Sequence, residues 1–169
     1  KLKATLNLKT RGYQTKPLRR IYILKKNGKK RPLSIPVMHD RAMQTLYKMA
    51  LEPMPETVAA PNPYGFRPRR SCNDAIEQCF LSLCRDMSAR WVFEADIKGC
   101  FDNIRHDWIL KNIPINKTIL KKWLKSGYIE QKRLFPTKRG MPQGGTISPL
   151  IMNIVLDGLE TIIMKKFPR

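Results

Sequence analysis

The segment FEADIKGCFDNI, residues 93–104, combines acidic side chains with a turn in a way that could serve phosphoryl chemistry. Asp96 stands near the end of an apolar run over residues 91–97, and this run predicts a buried strand. Glu94 falls on the same face of that strand because side chains alternate along it. A carboxylate at a strand end could hold a divalent metal, or it could simply cap the strand.

Composition points to a polyanionic partner. The 169 residues are 42% hydrophobic, which is enough for one domain or two small lobes with a real core. The net charge is +20, of which residues 1–48 carry +13 (14 Lys/Arg against one acid) and residues 49–169 carry +7 (19 against 12). Nucleic acid is the leading candidate for the partner, and an anionic membrane surface is the second.

Cysteine and histidine usage argues against a zinc site. The four cysteines form no C-x-x-C pair, and His39 and His106 are the only histidines. Three cysteines fall on one apolar helical face, which predicts buried, reduced thiols and a reducing compartment. No apolar stretch approaches the roughly 18–20 residues of a transmembrane helix. The three cysteines on the helical face are Cys72, Cys79 and Cys84.

The N-terminal half alternates between strand and helix signals. Residues 18–26 and 29–37 predict two strands, joined at Asn27-Gly28 by a type I′ hairpin turn. Asp40 is expected to cap a helix that runs to about Leu51, with Leu46 and Met49 among the residues of its apolar side. Ser71 and Asp74 predict a capping box at the start of a helix that ends near Met87.

The C-terminal half continues the mixed pattern. Residues 105–112 and 117–126 predict short helices, the second capped by Asn116, and residues 128–135 predict a pair of strands. The segment RGMPQGGTISP is a loop with three glycines. Ser148 and Pro149 then predict the start of one apolar helix that reaches about Lys166.

Several blocks, in order, resemble the reverse transcriptases encoded by group II introns. RRIYILKKNGKKRPLSIP resembles their fingers hairpin, and DRAMQTLYKMALEP with NPYGFRPRRSCNDAIEQ resembles the block that follows. FEADIKGCFDNIRHDWIL resembles motif A, and WLKSGYIEQKRLFPTKRGMPQGGTISPLIMNIVLDGLE resembles the block that holds the PQG loop. The resemblance runs from about Tyr13 to about Lys166, and several long motifs in the expected order are far more specific than any one of them.

The resemblance assigns roles to individual residues. It implies that Asp96, with the Ile97 carbonyl, binds the catalytic Mg²⁺ ions of a two-metal site. Phe101 would lie under the sugar of the incoming nucleotide, and Gln143 and Gly144 would line the nucleotide pocket. Read from the residues alone, Phe101 is better explained as a core side chain and Gln143 as a residue that satisfies backbone groups of its own loop, and only the resemblance favours the functional roles.

The same resemblance implies two sets of basic contacts. Lys25 and Arg31 of the hairpin would hold the nucleotide triphosphate, although a solvated hairpin face is the plainer interpretation of these charges. Arg67 would anchor either the fingers or the template strand. The other arginines expected to contact RNA or template are Arg19, Arg20, Arg69 and Arg70.

The implied fold is α+β, with basic fingers over residues 1–88 and a partial palm over residues 89–169, and the two parts can interleave. The implied function is RNA-directed DNA synthesis, with intron RNA binding, splicing and retrohoming. Partners would be structured intron RNA, an RNA template with a DNA primer, and dNTPs, in a bacterial cytoplasm or an organelle. A homodimer is compatible with the sequence, and a membrane partner is not expected.

Such polymerases also need a Tyr-x-Asp-Asp hairpin, and the 169 residues contain no Asp-Asp pair. We therefore expect a catalytically incomplete segment that binds RNA. The alternative is a non-catalytic RNA-binding splicing factor on a polymerase-like scaffold.

Overall fold

The structure is a computed structural model that describes residues 8–88 and 90–167, and it confirms the α+β fold class. Along the described chain, two strands are followed by six helices, a second pair of strands and two further helices. In order, the elements are β1 (Leu18–Leu24), β2 (Lys30–Ile35), α1 (Met38–Leu51), α2 (Pro53–Val58), α3 (Cys72–Leu83), α4 (Cys100–Asn103), α5 (His106–Asn112), α6 (Lys117–Leu124), β3 (Tyr128–Glu130), β4 (Arg133–Phe135), α7 (Ser148–Leu156) and α8 (Leu159–Lys166).

One four-stranded sheet, in the order β2-β1-β3-β4, joins the N-terminal hairpin to the strand pair over residues 128–135. β1 pairs antiparallel with β2 and parallel with β3, where Leu18 faces Tyr128, and β3 pairs antiparallel with β4. Residues on both sides of the predicted 88/89 division therefore belong to one sheet. None of the helices in the described residues is long and apolar enough to cross a membrane.

The hydrophobic core lies where α1, α5, α6 and α7 meet. Met43 on α1, Ile109 on α5, Leu120 on α6 and Ile151 on α7 are almost fully buried and belong to one cluster. Burying such side chains supplies most of the driving force for folding. The core fixes the positions of α7, which directly follows the loop at residues 136–147, and of α1, which lies beside that loop in space. It therefore determines where the loop can lie.

Asp40 is not the helix cap that the sequence predicted. α1 begins at Met38 with Val37 as its N-cap, and Asp40 is buried in the first turn. Its carboxylate accepts hydrogen bonds from the Tyr13 hydroxyl (2.7 Å), the Thr15 hydroxyl (3.0 Å) and the Lys16 amide (3.0 Å). Burial, and next the bond to Asp40, raise the pKa of Tyr13 well above its usual value. Asp40 thus ties the segment before β1 to α1.

Several predicted local signals are confirmed. Ser71 and Asp74 form a reciprocal capping box at the start of α3. Asn116 caps α6 by accepting hydrogen bonds from two backbone amides, and residues 128–135 form the expected pair of strands. Each of these signals depends on neighbours in sequence, so it does not require long-range packing to be known.

Two turns differ from the prediction. Between β1 and β2, Gly28 has a positive φ of 75° and Asn27 does not, so the turn is not type I′, which needs positive φ at both positions. The Gly28 amide instead donates to the Lys25 carbonyl at 3.0 Å. The predicted single helix over 148–166 is divided at Gly158, whose φ of 84° separates α7 from α8.

The predicted strand over residues 91–97 is wrong in this structure. Residues 91–97 have no regular secondary structure, and Trp91 and Phe93 are 93% and 87% exposed. A strand needs a neighbour to satisfy its backbone groups. Within residues 8–88 and 90–167, all four paired strands belong to the sheet described above, and none of them pairs with 91–97.

Two other burial predictions are also wrong. The three cysteines predicted to be buried are exposed, and α3 has no buried residue. On α1, Leu46 and Met49 are exposed, whereas Met43 and Gln44 face the core. Helical periodicity identifies an apolar face but not whether another element packs against it, and no described element covers α3. The cysteines concerned are Cys72, Cys79 and Cys84.

Candidate active site

The hairpin and the PQG loop meet through two side chains. Arg31 on β2 donates from Nε to the Gln143 Oε1 atom at 3.1 Å, across 112 residues of sequence. Within the described residues, the two terminal guanidinium nitrogens of Arg31 have no protein partner, and the side chain is exposed. The geometry leaves a cationic fork that can bind an anion beside a fixed amide.

The backbone of the loop is docked on β2. The buried Ser34 donates its amide to the Gln143 carbonyl at 2.7 Å. Gly144 lies so close to β2 that a Cβ atom there would stand 2.9 Å from the Ser34 carbonyl oxygen, and its φ is +120°. In the pair Gln143-Gly144, the first residue supplies an amide side chain, and the second, which lacks a Cβ atom, lets the loop backbone lie close to the backbone of β2.

α1 holds the other end of the loop. Gln44 is 3% exposed, and its Oε1 atom accepts a hydrogen bond from the Thr146 amide at 2.8 Å. Sequence reasoning missed this residue, because it placed the apolar side of α1 elsewhere. The available signal was the i,i+4 spacing of Asp40 and Gln44, which puts two polar residues on one helix face.

The turn within the motif A segment, residues 98–104 (the motif A turn), is attached to the loop at residues 140 and 141. The Met141 amide donates to the Phe101 carbonyl at 2.7 Å, and the Gly140 amide donates to the Ile104 carbonyl at 2.8 Å. His106 Nε2 lies 2.7 Å from the Gly140 carbonyl oxygen. That oxygen can only accept, so Nε2 carries the proton. A shift of the motif A turn would therefore move the loop as well.

Phe101 and Asp96 differ in their surroundings. Phe101, in α4, is partly buried and packs against the hydrophobic core. Asp96 is exposed, and burial together with the negative charge of Asp96 raises the pKa of the Cys100 thiol. Gly99 turns the chain between Asp96 and α4, with a φ of 61°. The exposed Asp96 carboxylate and the partly buried Phe101 ring thus lie on either side of the Gly99 turn.

Comparison with known proteins identifies the family. The model of the family described as reverse transcriptase (RNA-dependent DNA polymerase) matches residues 23–167. The chain belongs to the reverse transcriptase family. It is 41% identical to the group II intron-encoded protein LtrA of Lactococcus lactis subsp. cremoris over 174 residues, a match that covers 96% of this chain and 28% of LtrA.

Other relatives agree with this assignment. The chain is 39% identical to protein YkfC of Escherichia coli (strain K12), covering 92% of this chain and 43% of YkfC. A solved Cas6-RT-Cas1–Cas2 complex shares the fold with a TM-score of 0.55 and 21% identity, over 97% of this chain and 18% of that one. The chain thus has a reverse transcriptase fold and spans less than half the length of these relatives.

Reverse transcriptases generally use Mg²⁺, and the described residues fit only part of such a site. Asp96 and Ile97 are exposed residues, and a carboxylate with a neighbouring backbone carbonyl supplies oxygen ligands of the kind that suits this hard cation. Residues 8–88 and 90–167 contain no cluster of three His, Cys, Asp or Glu side chains that could hold a metal ion. The described residues therefore do not form a complete metal site of this kind.

The predicted basic contacts of this reverse transcriptase segment divide into free and engaged side chains. Arg19 and Lys25 are exposed. Arg20 instead lies 3.8 Å from the centre of the Tyr128 ring and lines a cavity of about 310 Å³ that also contacts Asp102. Its Nε atom is buried and has no hydrogen-bond partner among the described residues. Arg20 therefore faces the space between the hairpin and the loop.

Arg67 is engaged by α2 and by the loop that follows it. It pairs with Glu56 at 2.8 Å and donates to the Ala60 carbonyl at 2.8 Å, and its side chain is only 8% exposed. The hydrogen bond to Glu56 raises the pKa of Arg67. This geometry favours the fingers-anchoring alternative over a template contact. Arg69 and Arg70 are exposed, and Arg70 lies 5.1 Å from the centre of the Tyr64 ring.

Gly140→Ala should separate the motif A turn from the PQG loop. A Cβ atom at Gly140 would meet the Asp102 carbonyl oxygen at 2.6 Å, and φ is +78°. Gly28→Ala is the matched control, because its φ is +75° with nothing within 4 Å. Both variants should lose about 1–2 kcal/mol to backbone strain, and Gly140→Ala about 1–3 kcal/mol more from the clash. Thermal unfolding measures the difference in stability between the two variants. Equal losses of stability would show that the backbone around Asp102 moves aside at no cost.

Proposed function

We propose that the complete protein is an RNA-directed DNA polymerase of the group II intron-encoded type, and that this chain carries its nucleotide pocket. The observation that carries the proposal is the Arg31–Gln143 hydrogen bond of 3.1 Å between the hairpin and the PQG loop. Both residues were expected in the pocket from motifs that are far apart in sequence. Their contact supports the proposal, because it puts the exposed guanidinium of Arg31, a group suited to anions, beside the Gln143 amide.

The proposed pocket uses three kinds of side chain. Arg31, with the exposed Lys25 at the hairpin turn, binds the triphosphate through charge-assisted hydrogen bonds. Gln143 and the backbone of Gly144 orient the nucleotide. The Phe101 ring lies under the sugar. The backbone carbonyl of Phe101 accepts a hydrogen bond from the Met141 amide, which connects this residue to the loop. The hairpin, the loop and the motif A turn therefore act as one unit.

Asp96 is proposed as a carboxylate ligand of Mg²⁺, with the Ile97 carbonyl beside it. When bound, the cation would neutralise charge on the triphosphate and activate the primer hydroxyl. The exposure of Asp96 leaves its oxygens available for this role. The other ligands would come from the nucleotide and from the rest of the complete protein.

RNA binding, splicing assistance and retrohoming belong to the same proposal. The net charge of +20 supports a large phosphate footprint, and the N-terminal 48 residues hold +13 of it. Exposed Arg19, Arg69 and Arg70 are the side chains proposed for RNA or template. The relatives encoded by introns support intron RNA as that partner. The fingers and partial palm division at 88/89 is part of this proposal.

Arg31→Ala tests the pocket in the complete protein. We expect the KM for dNTP to rise roughly tenfold, since a charged hydrogen bond contributes about 1.5–3 kcal/mol. RNA affinity should change by less than about twofold, because one exposed cation among many is lost. Lys30→Ala, on the opposite face of β2, is the matched control and should leave the KM unchanged. An unchanged KM with a collapse of RNA affinity would make Arg31 a template contact instead.

A further inference from the structure

Gln44 is a buried polar side chain that lies outside every residue set proposed above. It is 3% exposed on α1, and its Oε1 atom accepts a hydrogen bond from the Thr146 amide at 2.8 Å. Its Nε2 atom makes no hydrogen bond with any residue that the structure describes. A buried side chain that accepts a hydrogen bond from a backbone amide holds that amide in one position, because losing the bond would leave a buried polar group unpaired. Here the amide held in place is that of Thr146, at the end of the PQG loop.

The loop over residues 142–146 has few other strong attachments. The Gly145 amide reaches the Pro142 carbonyl at 3.4 Å, and the Ser148 amide reaches the Gly145 carbonyl at 3.4 Å, so both bonds are long. Among the described residues, the backbone of this loop makes two short bonds to other elements: the Ser34 amide donates to the Gln143 carbonyl at 2.7 Å, and the Thr146 amide donates to Gln44 Oε1 at 2.8 Å. β2 therefore holds the start of the loop, and α1 holds its end.

The fit around Gln44 is tight. A Cβ atom at Gly145 would stand 3.2 Å from Gln44 Oε1 and 2.5 Å from Ser148 Oγ. The glycine thus lets the loop approach α1 closely enough for the Thr146 amide to reach the side chain. The second glycine of MPQGG and the glutamine of DRAMQ, which are 101 residues apart, are complementary parts of one contact.

We infer that Gln44 is a positioning residue for nucleotide binding: α1 fixes the end of the PQG loop and thereby sets Gln143 opposite Arg31. The inference rests on the proposed function, since it concerns the same pocket. Gln44 does not contact the nucleotide. It acts through Thr146 and the loop backbone, so its loss changes where Gln143 lies rather than removing a group from the pocket.

The test uses two variants of the complete protein. Gln44→Met keeps the length of the side chain and removes the acceptor, and Gln44→Glu keeps an acceptor oxygen for the Thr146 amide. We expect Gln44→Met to raise the KM for dNTP roughly five- to tenfold with a smaller change in kcat, because the lost bond frees the loop. Gln44→Glu should bring the KM back to within about twofold of the original value.

A structural readout and a packing control complete the design. Hydrogen exchange of the backbone amides at 144–147 should accelerate in Gln44→Met and not in Gln44→Glu, because the Thr146 amide loses its acceptor only in the first. Leu51→Ala, two turns further along α1 and buried in the same core, lowers stability without touching the loop. It should lower the thermal midpoint while leaving the KM for dNTP unchanged.

The outcomes are distinguishable. A raised KM and faster exchange in Gln44→Met, both reversed in Gln44→Glu, support the inference. If the KM rises equally in Leu51→Ala, or if exchange at 144–147 is unchanged in Gln44→Met, Gln44 is only a core residue and the inference is overturned. Failure of the proposed function would look different, since the unmodified complete protein would then not use dNTPs at all.

Discussion

Asp96→Asn is expected to remove primer extension by the complete protein while its RNA affinity stays within about twofold. Asn has nearly the same shape as Asp but no negative charge, so it is a poor ligand for a divalent cation. The rate should fall by at least roughly 10²–10³-fold, as when other charge-stabilising groups are removed from active sites. Single-turnover extension of an RNA-templated primer, at saturating dNTP, measures this loss directly.

The structural cost of the same change should be small. Asp96 is exposed and makes no hydrogen bond with the residues that the structure describes, and exposed substitutions usually alter stability by less than about 0.5 kcal/mol. Asp86→Asn is the matched control, because it removes an exposed carboxylate ten residues earlier. Asp86→Asn should keep full activity. Full activity in Asp96→Asn would show that this carboxylate has no role as a metal ligand and only caps the apolar segment over residues 91–97.

Phe101→Ala should increase the use of ribonucleotides by the complete protein. A ring packed against the sugar tolerates hydrogen at carbon 2 and clashes with a hydroxyl, so it selects deoxynucleotides by repulsion. Opening this space should raise the ratio of ribonucleotide to deoxynucleotide kcat/KM by roughly 10–200-fold, the range that shape discrimination in a pocket provides. Deoxynucleotide use should fall much less. Competitive incorporation on one RNA template gives the ratio.

The core contact of Phe101 makes a packing control necessary. Phe101 is partly buried against the core, so its truncation also creates a cavity, which costs about 3–5 kcal/mol for a fully buried ring and less here. Ile104→Ala removes a partly buried side chain from the same turn and the same cluster. It should lower stability without changing sugar preference. A folded Phe101→Ala protein with unchanged preference would leave Phe101 as a core residue.

Local signals in the sequence were sufficient for many elements. The capping box at Ser71, the Asn116 cap and the strand pair over 128–135 were predicted correctly, because each depends on residues within a few positions. The contact between Arg31 and Gln143 was not visible in any local pattern. Family resemblance placed both residues in one pocket, and the structure brings their side chains to 3.1 Å.

The failed burial predictions for residues 91–97 and α3 share a physical cause. Residues 91–97 have the composition of a buried strand, and α3 has an apolar face, yet both are exposed because burial depends on a partner element. Periodicity describes what a segment can bury and does not identify what covers it. Asp40 and Gln44 show the converse, since their buried hydrogen bonds to Tyr13 and Thr146 depend on contacts 27 and 102 residues away.

The most direct test of the proposed function is RNA-templated primer extension by the complete protein with Mg²⁺ and dNTPs. The protein should synthesise DNA complementary to the RNA template, and its RNA affinity should fall steeply with salt because phosphate contacts release counterions. The rival function, a non-catalytic splicing factor on a polymerase-like scaffold, predicts the same salt-dependent RNA binding. Tight RNA binding without any extended primer, under conditions in which a known reverse transcriptase extends the same substrate, would contradict the proposal.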